Sequence, residues 1–349
     1  MSANTPMDVS PASLDETIAF LSNPASYPTP TQTVLPQETH MSWVFLTDTE
    51  VWKLKKPVCF PPLDFSTLEA RRINCEAEIV LNHRLAPDVY LGTHALTRND
   101  TGALALDGEG PALEWLVRMR RLPEARMLDV VLSNGGPSEA EVDQVSSILT
   151  GFYRTQAGID MPADAFVERY RRRHMNNREL ITNFRHLLDW QRAETVMRMV
   201  ESFLDERHTL LTARLASGRI VEGHGDLRAE HVCLTDPPRI IDCLEFDRDL
   251  RLVDPFEEIT FLGLDCARLG APWIGERLYQ NLTEGLGDVP PAALVDFYMG
   301  FHACIRARIA LRHLEDVEPK TPERWPVMAE AYFSAAWPAI ERLSKSGGR

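Results

Sequence analysis

Between residues 221 and 247 the chain reads VEGHGDLRAEHVCLTDPPRIIDCLEFD, and ligand-type side chains gather there. VCL and RIID are short apolar stretches suited to strands, and the TDPP between them is turn chemistry. With the turn centred between Asp236 and Pro237, an antiparallel hairpin sets His231 opposite Asp242 at its open end. Asp226 lies on the loop entering that same end. Carboxylates converging there suit a hard divalent cation such as magnesium. An isolated H-G-D is a weak signal, since an Asp beside a turn commonly caps backbone groups. A loop Asp, a facing polar pair and a second Asp ending an apolar strand ask for more than capping. Phosphoryl transfer needs such a set: one carboxylate facing an acceptor, others holding a metal.

That chemistry also needs a cation for the phosphates. In VWKLKK, residues 51–56, strand alternation puts Val51, Lys53 and Lys55 on one face and Trp52 and Leu54 on the other. An amine on the inner face of a strand is costly unless paired. The partner is expected on the following helix, where Glu76 and Glu78 are the candidates. Glu78 has Cys75, Leu81 and Leu85 at helical spacing, and Glu76 has Ile73, Ile79 and Val80 nearby. Periodicity alone does not choose between them. Lys55 and Lys56 have a plainer reading as a solvated strand end before Pro57, and Lys56 is assigned to it.

The elements that must position these groups follow from pattern. SWVFLT, a DTE turn and VWKLKK form a hairpin over 42–56. A helix is expected over 66–85, with Ser66 as N-cap and Glu69 completing a capping box. VYLGTHALT, LALD and EWLVRMRRL continue as strands. The DGEG at 107–110 reads as a turn, because Leu113 stands where a dinucleotide fingerprint needs its third Gly. From 124 to 215, and again from 255, the period is helical. The division expected is an N-terminal arm over 1–37, a β-rich lobe over 38–120 and a helical lobe over 121–349. FHACIRARIALRHL at 301–314, with Arg306 and Arg308, is expected to be an amphipathic helix that packs in the helical lobe and borders an acceptor site.

The chain has 349 residues and a net charge of −14. That balance argues against non-specific binding to nucleic acid or anionic membrane. The basic run RYRRRH, 169–174, is read as a solvated helix face or as partners for local acids. No apolar run approaches the roughly 20 residues of a membrane span, and MSANTPMDVSPASLDET has no signal-peptide pattern. Six cysteines without a C-x-x-C pair read as reduced, buried thiols of a cytoplasmic protein.

HGDLRAEHVCL followed by IIDCLEFD resembles the catalytic segment of the aminoglycoside phosphotransferase family of kinase-like enzymes, whose usual motif is H-G-D-x-x-x-x-N before an I-D strand end. ETHMSWVFL, VWKLKKPV, LDFSTLEARR and LNHRLAPDVYLG resemble a bacterial branch described only as aminoglycoside-phosphotransferase-like. Some members of that branch carry a further P-loop kinase domain. No G-x-x-x-x-G-K-[ST] occurs in these 349 residues, so they are expected to correspond to the phosphotransferase part. The resemblance implies a two-lobed, protein-kinase-like α+β fold, ATP and Mg²⁺ (or Mn²⁺) as cofactors, and a small-molecule hydroxyl as acceptor.

Residue by residue, the resemblance implies Asp226 as catalytic base, His224 as support for its loop and Asp242 as metal ligand. His231 stands where the family has a metal-binding Asn, a departure that implies altered coordination, since imidazole suits softer metals than magnesium. Lys53, with Lys55 second, would hold the phosphates, and Glu78 is the favoured partner. Backbone N–H groups of Thr39–Ser42 would face the phosphates in place of a Gly-rich loop. Met119–Arg121 would lie against the adenine. Asp254 and Glu258 would tie the catalytic loop to a helix, and Glu245 would face the acceptor or cap a turn. Two rival readings share these residues: a nucleotide-binding pseudo-enzyme, and a metal-dependent hydrolase built on His224, Asp226, His231 and Asp242.

Overall fold

The computed structural model describes residues 13–60, 63–316 and 321–346. Residues 1–12 of the expected arm lie outside them. The chain divides into two compact units. The first runs to Pro123 and also contains Ile240–Asp247; the second contains Glu124–Arg239 and the chain from Arg248 onward. The segment carrying Asp242 thus belongs with the β-rich unit, and not with the helical residues that flank it in sequence.

The first unit is built on a six-stranded antiparallel sheet. Its strands are β1 (Leu35–Glu38), β2 (Ser42–Leu46), β3 (Glu50–Lys55), β4 (Tyr90–Arg98), β5 (Leu104–Leu106) and β6 (Ala112–Arg120). Their order is β1-β2-β3-β6-β4-β5. β1 begins inside the stretch expected to be an arm and ends at the first residue of the expected β-rich lobe. Its residues LPQE are all exposed, so no apolar alternation marks it as a strand. In β3, Trp52 and Leu54 are buried against Leu21, Tyr27, Phe45, Leu96 and Leu116. Leu21 ends α1 (Leu14–Leu21), whose Ser13 hydroxyl caps the N–H of Glu16. Alternation leaves Lys53 and Lys55 on the opposite face, with Lys53 between Val44 and Val117 in the ladder.

α2 (Leu68–Asn82) packs on that second face. Its cap is Thr67, whose hydroxyl accepts the N–H of Ala70, and not the expected Ser66. The helix begins one residue later than the Ser66–Glu69 pattern indicated. Thr67→Ala is expected to lower stability by about 1 kcal/mol and Ser66→Ala by much less, measured as a difference in urea midpoint.

The second unit is helical: α3 (Leu128–Ser133), α4 (Glu139–Thr155), α5 (Ala163–Asn183), α6 (Trp190–Glu206), α7 (Thr209–Ala216), α8 (Pro255–Arg268), α9 (Pro272–Leu286), α10 (Ala292–Arg312) and α11 (Arg324–Lys345). α10 is buried along most of its length, and its Phe297 stacks on Phe203 of α6 with ring centroids 4.2 Å apart. Two short strands, β7 (Val221–Glu222) and β8 (Leu252–Val253), pair antiparallel and hold the ends of the loop segment between them. Asp254, directly after β8, caps α8 through the N–H of Phe256 and is gripped by Arg214 of α7 at 2.6 and 3.0 Å. The basic run on α5 is not uniformly solvated. Arg169 is buried and donates to the carbonyls of Asp249 and Leu252, whereas Arg171 pairs with Asp205 at the surface. Among the described residues no helix is long and apolar enough to cross a membrane. Cys59 is exposed and the other five cysteines are buried.

Candidate active site

In the first unit, two lysines one strand-repeat apart meet a single carboxylate. Nζ of Lys53 lies 2.9 Å from Glu78 Oε1 and 2.9 Å from Asp242 Oδ1. Nζ of Lys55 pairs with the other oxygen of Glu78 and with Glu245. The Glu78 side chain is 0% exposed and that of Lys55 is 2%. Burial pulls a lysine's pKa down, but here Asp242, Glu78 and Glu245 outweigh it and hold Lys53 well above its ordinary value. Lys55 is raised in the same way by Glu245 and Glu78. Burial pushes Glu78 up, yet the two ammonium groups carry it below the usual carboxylate range. Lys53, Lys55 and Glu78 are therefore ionised at neutral pH. Glu76, the other candidate, is an exposed partner of Arg72.

Asp242 is placed by its backbone. Its φ of +62° lies in the left-handed region, which an Asp tolerates better than most residues and which costs about 1–3 kcal/mol. The surrounding unit holds it there: the Asp242 N–H donates to the Tyr90 hydroxyl at 3.0 Å, and the next N–H, of Cys243, donates to Asn82 at 2.8 Å. Asn82 in turn donates to the Glu78 carbonyl at 2.8 Å. Tyr90 and Asn82 are positioning residues that apolar pattern gave no reason to single out. Glu245, read as an acceptor-facing or capping residue, is instead a counter-charge for Lys55.

In the second unit, the loop after β7 is pinned by two carboxylates of α8. Glu258 accepts the N–H of Gly225 and the Tyr153 hydroxyl, and Asp265 accepts the N–H of Ala229 at 3.1 Å. Gly223 must be glycine, because a Cβ there would stand 2.5 Å from Glu258 Oε2. His224 is fully buried and its Nδ1 accepts the Asp226 N–H at 3.3 Å, a support for the loop. Asp226 Oδ2 accepts from Arg228 Nε at 2.9 Å. Burial raises the Asp226 pKa, and the positive charges of Arg228 and Arg306 outweigh that, holding the carboxyl below its ordinary range. Arg228 also pairs with Glu230.

His231 is oriented by its neighbours. Nδ1 lies 2.8 Å from the Asp226 carbonyl, which can only accept, so Nδ1 carries the hydrogen. Nε2 lies 3.1 Å from Arg228, which can only donate, so the ring's remaining lone pair meets a guanidinium N–H. As placed, neither nitrogen of His231 is available to a metal. Its position holds Arg228, and the expected ligand role is not what this geometry supports. Asp242 fits a metal better. Its side chain is 45% exposed, and a magnesium ion arriving on a triphosphate commonly takes only one or two protein carboxylates. Among the described residues no group of three His, Cys, Asp or Glu side chains forms a metal cage.

Three further expected contacts are engaged elsewhere. The Thr39 N–H donates to the Ser42 carbonyl, and the Ser42 N–H donates to the Thr39 hydroxyl, so both amides close their own turn. Arg121 donates its N–H to Thr49 and its guanidinium to Thr47, clamping the β2–β3 turn. Met119 sits in the sheet opposite Val51 and Tyr90.

The sequence is 33% identical over 290 residues to uncharacterised proteins of Mycobacterium tuberculosis and Mycobacterium bovis, a stretch that is 81% of this chain and 56% of each relative. The chain thus spans about half the length of the curated relatives it matches. No family model matches. Among solved structures, choline kinase from Cryptosporidium parvum Iowa II superposes with a TM-score of 0.53 at 10% identity, covering 95% of this chain and 96% of that one. A thermostable mutant of the aminoglycoside phosphotransferase APH(4)-Ia gives 0.51 at 11% identity, covering 92% and 97%. The chain has the protein-kinase-like α+β fold of these proteins.

Proposed function

We propose that this chain is an aminoglycoside-phosphotransferase-like kinase that transfers the γ-phosphoryl group of ATP to a hydroxyl of a small molecule, with magnesium or manganese as cofactor. The observation that carries this reading is Lys53, 2.9 Å from both Glu78 and Asp242 on the inner face of an antiparallel sheet. A structural ion pair needs one carboxylate, whereas this ammonium is fixed by a buried one and also meets a half-exposed one. A triphosphate can take up the second interaction.

In this reading Lys53, oriented by Glu78, holds the α- and β-phosphates, and Lys55 with Glu245 fixes the position of Glu78. Asp242 holds the metal, which supplies charge neutralisation on the phosphate oxygens. Asp226 accepts a hydrogen bond from the acceptor hydroxyl and aims its oxygen at the γ-phosphorus. The new bond joins that oxygen to phosphorus, the bond from phosphorus to the β–γ bridging oxygen breaks, ADP leaves and the hydroxyl proton passes to Asp226. A carboxylate whose pKa is lowered is a weak base, so orientation is its larger contribution and proton transfer comes late. His231 keeps Arg228 against Asp226.

The test is titration calorimetry with Mg·ATP, followed by ADP release across hydroxylated metabolites in magnesium and in manganese. Asp242→Ala is expected to weaken Mg·ATP binding by about 10- to 100-fold, the worth of a charged interaction. No heat with Mg·ATP would sink the reading. Binding without turnover would favour the pseudo-enzyme alternative, for which the engagement of both His231 nitrogens is the supporting observation. Phosphate release without nucleotide would favour the hydrolase.

A further inference from the structure

Around Asp226 the carboxylates are engaged, and one guanidinium, that of Arg306, is engaged only through Nε. Glu257 accepts the Tyr170 hydroxyl at 2.6 Å and lies 3.2 Å from His302 Nε2. Asp265 takes the Ala229 N–H, the Tyr332 hydroxyl at 3.1 Å and Arg268 at 2.8 Å. Glu258 is held by Tyr153 and Gly225, and Glu230 by Arg228. Arg306 of α10 is different. Only its Nε donates, to the Tyr332 hydroxyl at 3.2 Å, and among the described residues neither terminal nitrogen bonds a protein group. Its planar group stands 5.4 Å from the Tyr332 ring centroid and 5.9 Å from that of Phe261, which fix its orientation. It is near enough to Asp226 for its charge to help depress that carboxyl. Arg268, paired with Asp265, also stands against the Tyr332 ring, 5.0 Å from its centroid. Arg308 is disfavoured as a cation by burial and by Arg312 and Arg173.

An acceptor bearing an ammonium group would need carboxylate oxygens with open lone pairs near the hydroxyl it offers to Asp226. The engaged acids offer few of these. A pre-oriented guanidinium whose two terminal nitrogens bond no protein group among the described residues is suited to reading a carboxylate or phosphate. We propose that Arg306 binds an anionic group on the acceptor, so that the substrate is a hydroxylated acid or a phosphorylated polyol and not an amine. The proposal rests on the phosphotransferase reading and assigns the charge class of its acceptor.

The test uses the full chain with Mg·ATP and two matched sets of acceptors. One is glucose, glucosamine, glucuronate and glucose 6-phosphate; the other is glycerol, serinol, glycerate and glycerol 3-phosphate. ADP release gives kcat and KM, and thermal shifts in Mg·AMP-PNP report binding where turnover is slow. An anionic member is expected to bind best in at least one set. Arg306→Met should raise its KM or Kd by about 10- to 100-fold, with a smaller change in kcat, and Arg306→Lys should recover part of the loss. An unchanged Mg·ATP affinity in both variants shows that they are folded. Preference for glucosamine or serinol, no preference by charge, or an Arg306→Met variant that binds anions as before would overturn the proposal and leave the kinase reading intact. Failure of the wild-type chain to bind Mg·ATP would overturn both.

Discussion

Asp226→Asn is expected to lower kcat by about 10²–10⁴-fold while leaving Mg·ATP affinity unchanged. The substitution is nearly isosteric, and the loop should stay in place, because Gly225 and Ala229 are held by Glu258 and Asp265 and not by the Asp226 side chain. What it removes is the negative charge that Arg228 and Arg306 face and the acceptor for the substrate hydroxyl. The wild-type carboxyl is held below its ordinary range by the neighbouring guanidinium groups, so the carboxylate is present at neutral pH. Any fall in activity between about pH 8 and pH 5 must then come from another group. The sign for stability follows the same direction. A lowered carboxylate pKa contributes stability above the unfolded value, and that contribution is lost as pH falls through the folded value. Stopped-flow measurement of ADP formation, with calorimetry on the same variant, checks the split. Equal small effects on turnover and on nucleotide binding would remove Asp226 from the role.

Glu78→Ala is expected to cost about 3–5 kcal/mol of folding stability, measured by urea denaturation, because it leaves two lysines facing one another without their shared counter-charge. Lys55 is 2% exposed and cannot turn to water without moving β3. Glu245 remains for Lys55 and Asp242 for Lys53, so the variant is not expected to unfold outright. Asp242 would then be drawn fully into neutralising Lys53, and nucleotide binding should weaken beyond the stability loss. Glu76→Ala is the control. Its partner Arg72 keeps Glu69, both are at the surface, and the cost should stay below about 1 kcal/mol. A comparable cost at the two positions would mean that the ion cluster does not form.

The sheet was legible where side chains alternate. VWKLKK places its apolar and basic residues on opposite faces, and Trp52 and Leu54 go to the core while Lys53 and Lys55 meet Glu78. α2 was legible as a helix but not in its orientation. Its buried face carries Arg71, Asn74, Glu78 and Asn82, while Ile73 and Val80 are 54% and 67% exposed. A polar buried face inverts the usual meaning of apolar period, and for that reason Glu76 and Glu78 could not be separated by spacing. The partners of His231 were hidden for another cause. A motif position names a residue type, and only the loop's three-dimensional course reveals that Arg228 and the Asp226 carbonyl take both nitrogens. The N-cap was missed by one residue because Ser66 and Thr67 are chemically equivalent as caps.

Ile240–Asp247 belongs to the unit that otherwise ends at Pro123. A fragment stopped after Pro123 would keep every strand of the sheet and lose Asp242 and Glu245, two of the three acids that balance the lysines. Modular exchange of this half between related chains, by recombination or by design, would have to carry a short cassette from far downstream. The seam at which the chain could be cut and the seam along which it is folded are therefore different.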